Sequence, residues 1–226
     1  MIKLSPRLSI TADMVRTGSR LADIGTDHAY LPCSLIQSGR ISHAVAADLR
    51  SGPLENAKST VIGAELGGAV ELRLSDGLSS LLPEEADDFV IAGMGGNLIT
   101  DILSKADWIC DKSKRFILQP QSHDEDVRAF LWDNGFEITD ERCCFEGERV
   151  YIAFAAEYTG KKQEHSEAEI LLGGYYKDKS PEAVAFTEKK LRRLRARSEA
   201  LKTNEPNSEE LKRADRIFDE VKKWQK

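Results

Sequence analysis

Leu21-Ala22-Asp23-Ile24-Gly25-Thr26-Asp27-His28-Ala29-Tyr30-Leu31-Pro32 decides the fold. A short apolar strand carries a carboxylate at its end, and a glycine turn follows. A helix then opens at once over Tyr30–Ser38, with Pro32 near its first turn, where a missing N–H costs little. Strand, tight turn and helix start are how an α/β fold builds a nucleotide crevice at the carboxyl end of its first strand. Gly25 reaches backbone conformations closed to other residues and lets a ligand approach the chain closely. Asp23 is placed to anchor the cationic end of such a ligand. An Asp-x-Gly turn also occurs without any ligand, so the reading rests on what the flanking sequence adds.

The pattern returns downstream. Ala44–Ala47 reads as a second strand closed by Asp48, and an acid there suits a ribose diol because a carboxylate accepts two hydrogen bonds at once. Ser51-Gly52-Pro53 starts a helix that Gly67-Gly68 ends. Val70–Leu74 alternates as a third strand and runs into Ser75-Asp76-Gly77. Asp88–Ala92 is an apolar run of the kind buried on both faces of a parallel sheet. Gly93-Met94-Gly95-Gly96-Asn97 is expected as a loop with almost no side chains, followed by a helix over Leu98–Lys105. Such a loop lets a flat substrate lie close to the backbone, or simply turns tightly from strand to helix. Arg115–Leu118 is the fifth strand, Asp124–Asn134 a helix, and Phe136–Phe145 with Arg149–Ala156 a hairpin around Glu146-Gly147-Glu148. The expectation is an α/β sheet, mostly parallel, with an antiparallel edge hairpin. Ahead of it, Ser5–Arg20 reads as a helical lead-in stopped by Gly18-Ser19. Within it Arg7 is either a surface arginine or one that folds back to pair with a carboxylate near the glycine turn.

The full G-x-G-x-x-G is absent, since Asp27 and Ala29 stand where further glycines would sit. That argues against a pyrophosphate-binding, NAD-dependent enzyme. A phosphate-free adenosine carrying an amino acid needs less glycine and more carboxylate, and S-adenosylmethionine answers that description.

Composition sets the outer bounds. Residues 181–226 hold 13 Lys+Arg against 9 Asp+Glu, whereas the first 180 residues hold 19 against 29, so an acidic body adjoins a basic tail. Such a tail suggests an anionic macromolecular partner. Cys33, Cys110, Cys143 and Cys144 lack metal-ligand spacing, and reduced thiols in a cytoplasmic protein without a metal are expected. No apolar run is long enough to span a membrane, and the first seven residues lack the apolar core of a signal peptide. The expected domains are 1–160, holding the sheet, and 161–226, which is helical. After a charged linker (Thr159–Glu167), Ser180-Pro181-Glu182 caps a long helix. Its stripe of Val184, Thr187, Leu191, Leu194, Ser198 and Leu201 matches a second stripe of Leu211, Ala214, Phe218 and Val221, with Trp224 beside the seam. The two read as an antiparallel helical hairpin. Lys189, Lys190, Arg192, Arg193, Arg195 and Arg197 put six cations into nine residues of the first helix. They form either a solvated face or a grip on a phosphate backbone.

Asp23-Ile24-Gly25-Thr26-Asp27-His28-Ala29-Tyr30-Leu31-Pro32, Ala92-Gly93-Met94-Gly95-Gly96, Leu118-Gln119-Pro120 and Leu4-Ser5-Pro6-Arg7-Leu8 together resemble the bacterial tRNA (adenine-22-N1)-methyltransferases, the TrmK family. The likeness runs nearly from end to end. It implies a class I, Rossmann-like methyltransferase sheet that binds S-adenosylmethionine and methylates N1 of an adenosine in the tRNA D-loop region. By position, Asp23, Gly25, Thr26 and Asp27 match the family's first cofactor motif, and Arg7 is counted with them. Asp48, with Leu49 beside it, takes the ribose place, where some relatives carry Glu. Asp76 and Gly77 match the adenine edge, and Gly93 and Met94 lie next to the sulfonium. The Asn/Asp-Pro-Pro-Tyr of exocyclic-amine methylases is missing after the fourth strand. Ring N1 already has an in-plane lone pair, so transfer needs in-line positioning at roughly 3 Å rather than a reshaped amine. Asp27, His28 and Tyr30 are the candidates to hold the target base, with His28 alternatively a structural histidine. The partner implied is tRNA, and a monomer is expected. The same cofactor with another acceptor, and an RNA-binding protein that holds the cofactor without transferring it, stay open.

Overall fold

All four residues of β1 (Leu21–Ile24) are buried. Such a strand needs a partner on each edge and a layer over each face, and it has both. It pairs in parallel with β2 (Ala44–Asp48) on one side and β4 (Asp88–Gly95) on the other. β3 (Val70–Leu74) extends the sheet beyond β2, and β5 (Arg115–Ser122) extends it beyond β4, both in parallel. The hairpin of β6 (Phe136–Glu146) and β7 (Arg149–Tyr158) closes that side antiparallel, in the order β3-β2-β1-β4-β5-β7-β6. The order in which successive strands are added reverses between β1 and β4, and this switch point opens a crevice at their carboxyl ends. The structure, a computed structural model, describes residues 1–224. Among the described residues, no helix is long and apolar enough to cross a membrane.

One face of the sheet is covered by α1 (Pro6–Met14), α2 (Tyr30–Gln37) and α3 (Ser51–Gly63), whose Met14, Leu31, Leu35 and Val61 are buried against strand residues such as Val90 and Ala46. Successive strand residues face opposite ways, so the residues flanking Val90 serve the other layer, with α4 (Gly96–Ser104) and α5 (Asp124–Asp133). There Phe89 and Phe116 sit side by side at 5.4 Å, and Phe136 meets Phe116 edge-on at 6.0 Å. All three are fully buried, each contributing about 1.5–3 kcal/mol of burial free energy.

Two elements differ from expectation. The helical lead-in ends at Met14 rather than Arg20, because the buried carboxylate of Asp88 claims the backbone beyond it. Arg16 donates its N–H to Asp88 Oδ2 at 2.7 Å and its Nε–H to Oδ1 at 2.6 Å, and Val15 is extended to allow this. The glycine run after Ala92 is no loop. β4 continues to Gly95, with its register to β5 shifted on either side of Met94, and the helix starts at Gly96 instead of Leu98. A Cβ on Gly96 would lie 2.2 Å from the His123 carbonyl oxygen. Glycine therefore lets the β4–α4 and β5–α5 junctions touch backbone to backbone.

The chain divides into two compact units, 1–162 and from Gln163 on. α7 (Pro181–Asn204) and α8 (Glu209–Trp224) form the hairpin, and α6 (Glu167–Leu172) adds a third helix that packs Ala168 and Leu172 on Ile217 and Val221. The expected stripes hold at Ser198, Leu201, Leu211, Ala214 and Val221, with Leu191 and Leu194 packed beside them, and differ at two places. In α7 the buried residues include Ala183 and Phe186 while Val184 is exposed, because Phe186 packs edge-on against Tyr175 at 4.9 Å. In α8 Ile217, not Phe218, is buried, since this helix must serve α6 as well as α7. Gln225 and Lys226 of the expected helical segment lie outside the described residues.

Candidate active site

Two cavities of about 390 and 450 Å³ open at the carboxyl end of the sheet and share a wall made of Gly25, Asp27, Ala92 and Gly93. Both volumes suit a small-molecule site.

The smaller lobe is lined by Asp48, Leu49, Asp76, Gly77 and Met94. Asp48 is buried at the end of β2, and its Oδ1 accepts the Arg50 N–H at 3.0 Å, which holds the carboxylate in place. Leu49 and Leu98 are exposed at the rim, apolar cover for a flat ring. Gly77 is left-handed, with φ +56°, and a Cβ there would meet Ile102 at 2.9 Å. The lining alternates acceptor carboxylates with apolar surface, which fits a ribose diol beside an aromatic base.

The larger lobe holds Asp23, Thr26, Asp27, His28, Tyr30 and Arg7. Asp23 is buried at the end of β1, where Thr26 Oγ1 donates to its Oδ2 at 2.6 Å. Burial pushes the Asp23 carboxyl up to about 6 and the nearby Asp48 charge pushes the same way, while the Thr26 hydrogen bond opposes both. An ionised Asp23 therefore gains most from a cation brought beside it. The turn that follows is not an anion nest. The Gly25 and Thr26 N–H groups both donate to the Ala47 carbonyl, at 2.8 and 3.0 Å, so the turn presents a carboxylate rather than N–H donors. A pyrophosphate finds little here, whereas a ligand with an ammonium and a ribose matches both lobes. A Cβ on Gly25 would lie 2.2 Å from Met94 Cε, which marks how closely the two sides of the shared wall approach.

Asp27 and Ala29 both take positive φ, +52° and +54°, conformations that non-glycine residues adopt at a cost of roughly 1–2 kcal/mol each. The strained turn presents His28 and Tyr30 side by side, rings parallel within 8° and 5.0 Å apart. Tyr30 is 42% exposed, and the Asp27 carboxylate lies 3.7 Å from His28 Nε2. Arg7 reaches the same lobe but not the carboxylates of the glycine turn. It pairs with Glu146 at 3.7 Å and lies over the Tyr151 ring at 5.6 Å, held by the tip of the β6–β7 hairpin. Nothing in the linear order of the chain brings Arg7 and Glu146 together.

Gln119 and Gln121 also line the larger lobe. Their signal was two amides at the end of an otherwise apolar strand, flanking Pro120. Cys33 is buried behind the site, and burial pushes its thiol up to about 11, so it is no nucleophile. Among the described residues, no group of three or more His, Cys, Asp or Glu is arranged to hold a metal ion.

The six cations singled out in the second unit all fall on α7. Arg192, Arg193, Arg195 and Arg197 are exposed, and Lys189 and Lys190 are partly buried. Arg197 is held by Glu210 of α8 through two hydrogen bonds of 2.7 and 2.9 Å, and Arg195 lies over the Phe218 ring at 5.9 Å.

Residues 4–154 match the model of a methyltransferase domain family. The chain is 37% identical over 156 residues to the Bacillus subtilis tRNA (adenine(22)-N(1))-methyltransferase, a stretch covering 69% of this chain and 66% of that protein, just under two thirds of its length. The crystal structure of the B. subtilis M1A22 tRNA methyltransferase TrmK superposes with a TM-score of 0.86 at 31% identity, covering 98% of this chain and 99% of the other. The structure of M. capricolum TrmK in complex with S-adenosyl-homocysteine superposes with a TM-score of 0.81 at 25% identity, covering 98% and 97%.

Proposed function

Since the chain belongs to the methyltransferase-domain family, in its TrmK branch, we propose that it transfers a methyl group from S-adenosylmethionine to N1 of adenosine 22 in the D-loop region of tRNA. The observation that carries this is the pair of cavities joined at Gly25, Asp27, Ala92 and Gly93. One lobe offers strand-end acids for a nucleoside, and the other offers a buried carboxylate for an ammonium and a stacked aromatic pair for a second base.

In this reading Asp48 accepts from the ribose hydroxyls, with Leu49 at its side, and Asp76 and Gly77 border the adenine. Gly93 and Met94 flank the reacting centre, and Asp23, braced by Thr26, holds the ammonium. Arg7 faces the amino-acid end from the opposite wall. The bound cofactor supplies an electrophilic methyl on a sulfonium. The protein's work is then alignment, because neutral N1 has its lone pair in the ring plane and needs no base to expose it. Tyr30 and His28 stack the extruded adenine. Asp27 accepts from its amino group and stabilises the positive charge that the base acquires on methylation. The domains divide the labour: 1–160 carries the chemistry, and 161–226 carries the cationic face that grips tRNA. With tRNA as the acceptor, this work belongs to the cytoplasm.

The test is methyl transfer from labelled S-adenosylmethionine to an unmodified tRNA transcript, with product nucleosides separated by mass spectrometry. The expected product is 1-methyladenosine, lost when the D-loop adenosine is replaced. Cofactor binding without labelled tRNA would overturn the acceptor assignment. For the cationic face, replacing Arg192, Arg193, Arg195 and Arg197 by Gln is expected to weaken tRNA binding and flatten its salt dependence by about 0.9 in log–log slope for each phosphate that is no longer neutralised. Cofactor affinity should not move. Arg197→Gln alone is expected to do least, since Glu210 already neutralises that guanidinium. Filter binding over a salt series distinguishes these outcomes, and unchanged tRNA affinity returns the run to a solvated face.

A further inference from the structure

We propose that Gln119 is a positioning residue, whose carboxamide fixes the Gly93 peptide in the wall between the two lobes. The inference rests on reading this wall as the place of methyl transfer. Along β4 and β5 the register runs Ala92↔Gln119 and then Met94↔Pro120, so Gly93 is an extra residue without a partner in the ladder. Pro120 has no N–H to offer at this point, and the ladder is interrupted where the cavity wall is built. Gly93 is exposed along the cavity wall, so its orientation there is left to whatever holds its N–H.

Gln119 repairs the gap with its side chain. It is 1% exposed, and its Oε1 accepts the Gly93 N–H at 3.1 Å. Its Nε2 donates to the Pro120 carbonyl at 3.3 Å and, more weakly, to the Ile152 carbonyl of β7 at 3.4 Å. Both ends of the amide are used, and the partners dictate its orientation: an N–H requires the oxygen on one side, and two carbonyls require the nitrogen on the other. Gly93, at φ +79°, is thereby tied through one side chain to β5 and, beyond it, to β7. A carboxylate lacks the donors, a hydrocarbon lacks both functions, and Asn is one methylene short. The consequence is a wall whose backbone does not shift when base and cofactor are brought together. A displacement of the order of 1 Å there would cost about 10²-fold in rate.

The experiment compares Gln119→Leu and Gln119→Glu with wild type in tRNA methylation, in the KM for S-adenosylmethionine, and in amide hydrogen exchange at Gly93 in the ligand-free chain. Gln119→Leu should lower kcat by roughly ten- to a hundredfold, with the cofactor KM changed less than about threefold, and should deprotect the Gly93 amide. Gln119→Glu keeps an acceptor for Gly93 but turns a negative oxygen toward two carbonyls, so only its protonated form reproduces the amide. Its kcat relative to wild type should therefore rise as pH falls, while the Gln119→Leu ratio stays flat. Taking the ratio cancels whatever pH dependence both proteins share through the other polar groups of that lobe, Lys3, Arg7, Asp23, Asp27, His28 and Tyr30. Unchanged Gly93 exchange in Gln119→Leu overturns the proposal, as does a parallel fall of kcat, cofactor affinity and thermal stability without the pH signature. If Gly93 exchange responds but wild type methylates no tRNA, the reaction assignment falls and the hold on the Gly93 peptide stands.

Discussion

Replacing Asp23 by Asn is expected to eliminate cofactor binding and methyl transfer while making the ligand-free protein more stable. The two effects have one cause. Asp23 is buried, and its carboxyl is raised to about 6 from an ordinary value of 3.8, chiefly by burial. With the folded value above the unfolded one, its contribution to stability is fully present below pH 3.8 and is lost as pH rises through about 6. A shift of about two units corresponds to roughly 3 kcal/mol, the order of the penalty that the free protein carries at neutral pH. Asn accepts from Thr26 in the same way but has no charge to bury, so Tm should rise by a few degrees. Binding moves the other way. An ammonium brought against a buried carboxylate forms a charge-assisted pair, and removing one partner of such a pair costs about 3–5 kcal/mol, or roughly 10²–10³-fold or more in affinity. In wild type, cofactor affinity should fall as pH drops below about 6, by up to tenfold per unit, as Asp23 takes up its proton. Calorimetric titration with S-adenosylhomocysteine from pH 5 to 8, beside thermal unfolding of both proteins, reads every part. Retained affinity in Asp23→Asn, or lower stability, would sink the argument.

Gly96→Ala is expected to damage fold and site together. Its Cβ would lie 2.2 Å from the His123 carbonyl oxygen and 2.8 Å from the His123 carbonyl carbon and the Ser122 oxygen, all backbone atoms with no rotamer to turn aside. Overpacking of this kind costs about 1–3 kcal/mol, and with only main chain to yield we expect the upper end. In a chain of this size that lowers Tm by roughly 6–12 °C. The atoms that must move belong to the ends of β4 and β5, so cofactor affinity should fall in the same variant. Gly52→Ala is the control: it lies in α3 at an ordinary φ with nothing within 4 Å of its Cβ. Removing a glycine from a helix there should leave stability unchanged or raise it by about 0.5–1 kcal/mol. Equal Tm values for the two variants would show that the strand–helix junctions do not depend on that close approach.

The crevice was legible in the chain itself because its signals are local. A buried strand reads as an apolar run, an acid at its end stays within a few residues of the turn it serves, and glycine marks where the backbone must bend. Asp23-Ile24-Gly25, Ala47-Asp48 and Ser75-Asp76-Gly77 carry that grammar three times, and the parallel order of β1, β2 and β3 follows from it. Partnerships between distant residues have no such local signal. Arg7 turns to Glu146 across 139 positions, and Asp88 ends α1 by claiming Arg16 72 positions away. α8 buries Ile217 rather than Phe218 because α6 packs on it. The glycine run read as a loop from composition alone. It became strand and helix because β5 lies beside it and its glycines admit another backbone. Local order thus marked the strand-end acids and glycines of the crevice, but not Gln119 and Gln121 beside them. Only the assembled sheet decided which of them touch, because hydrogen bonds and ion pairs form between atoms that folding brings within a few ångströms, whatever their separation along the chain.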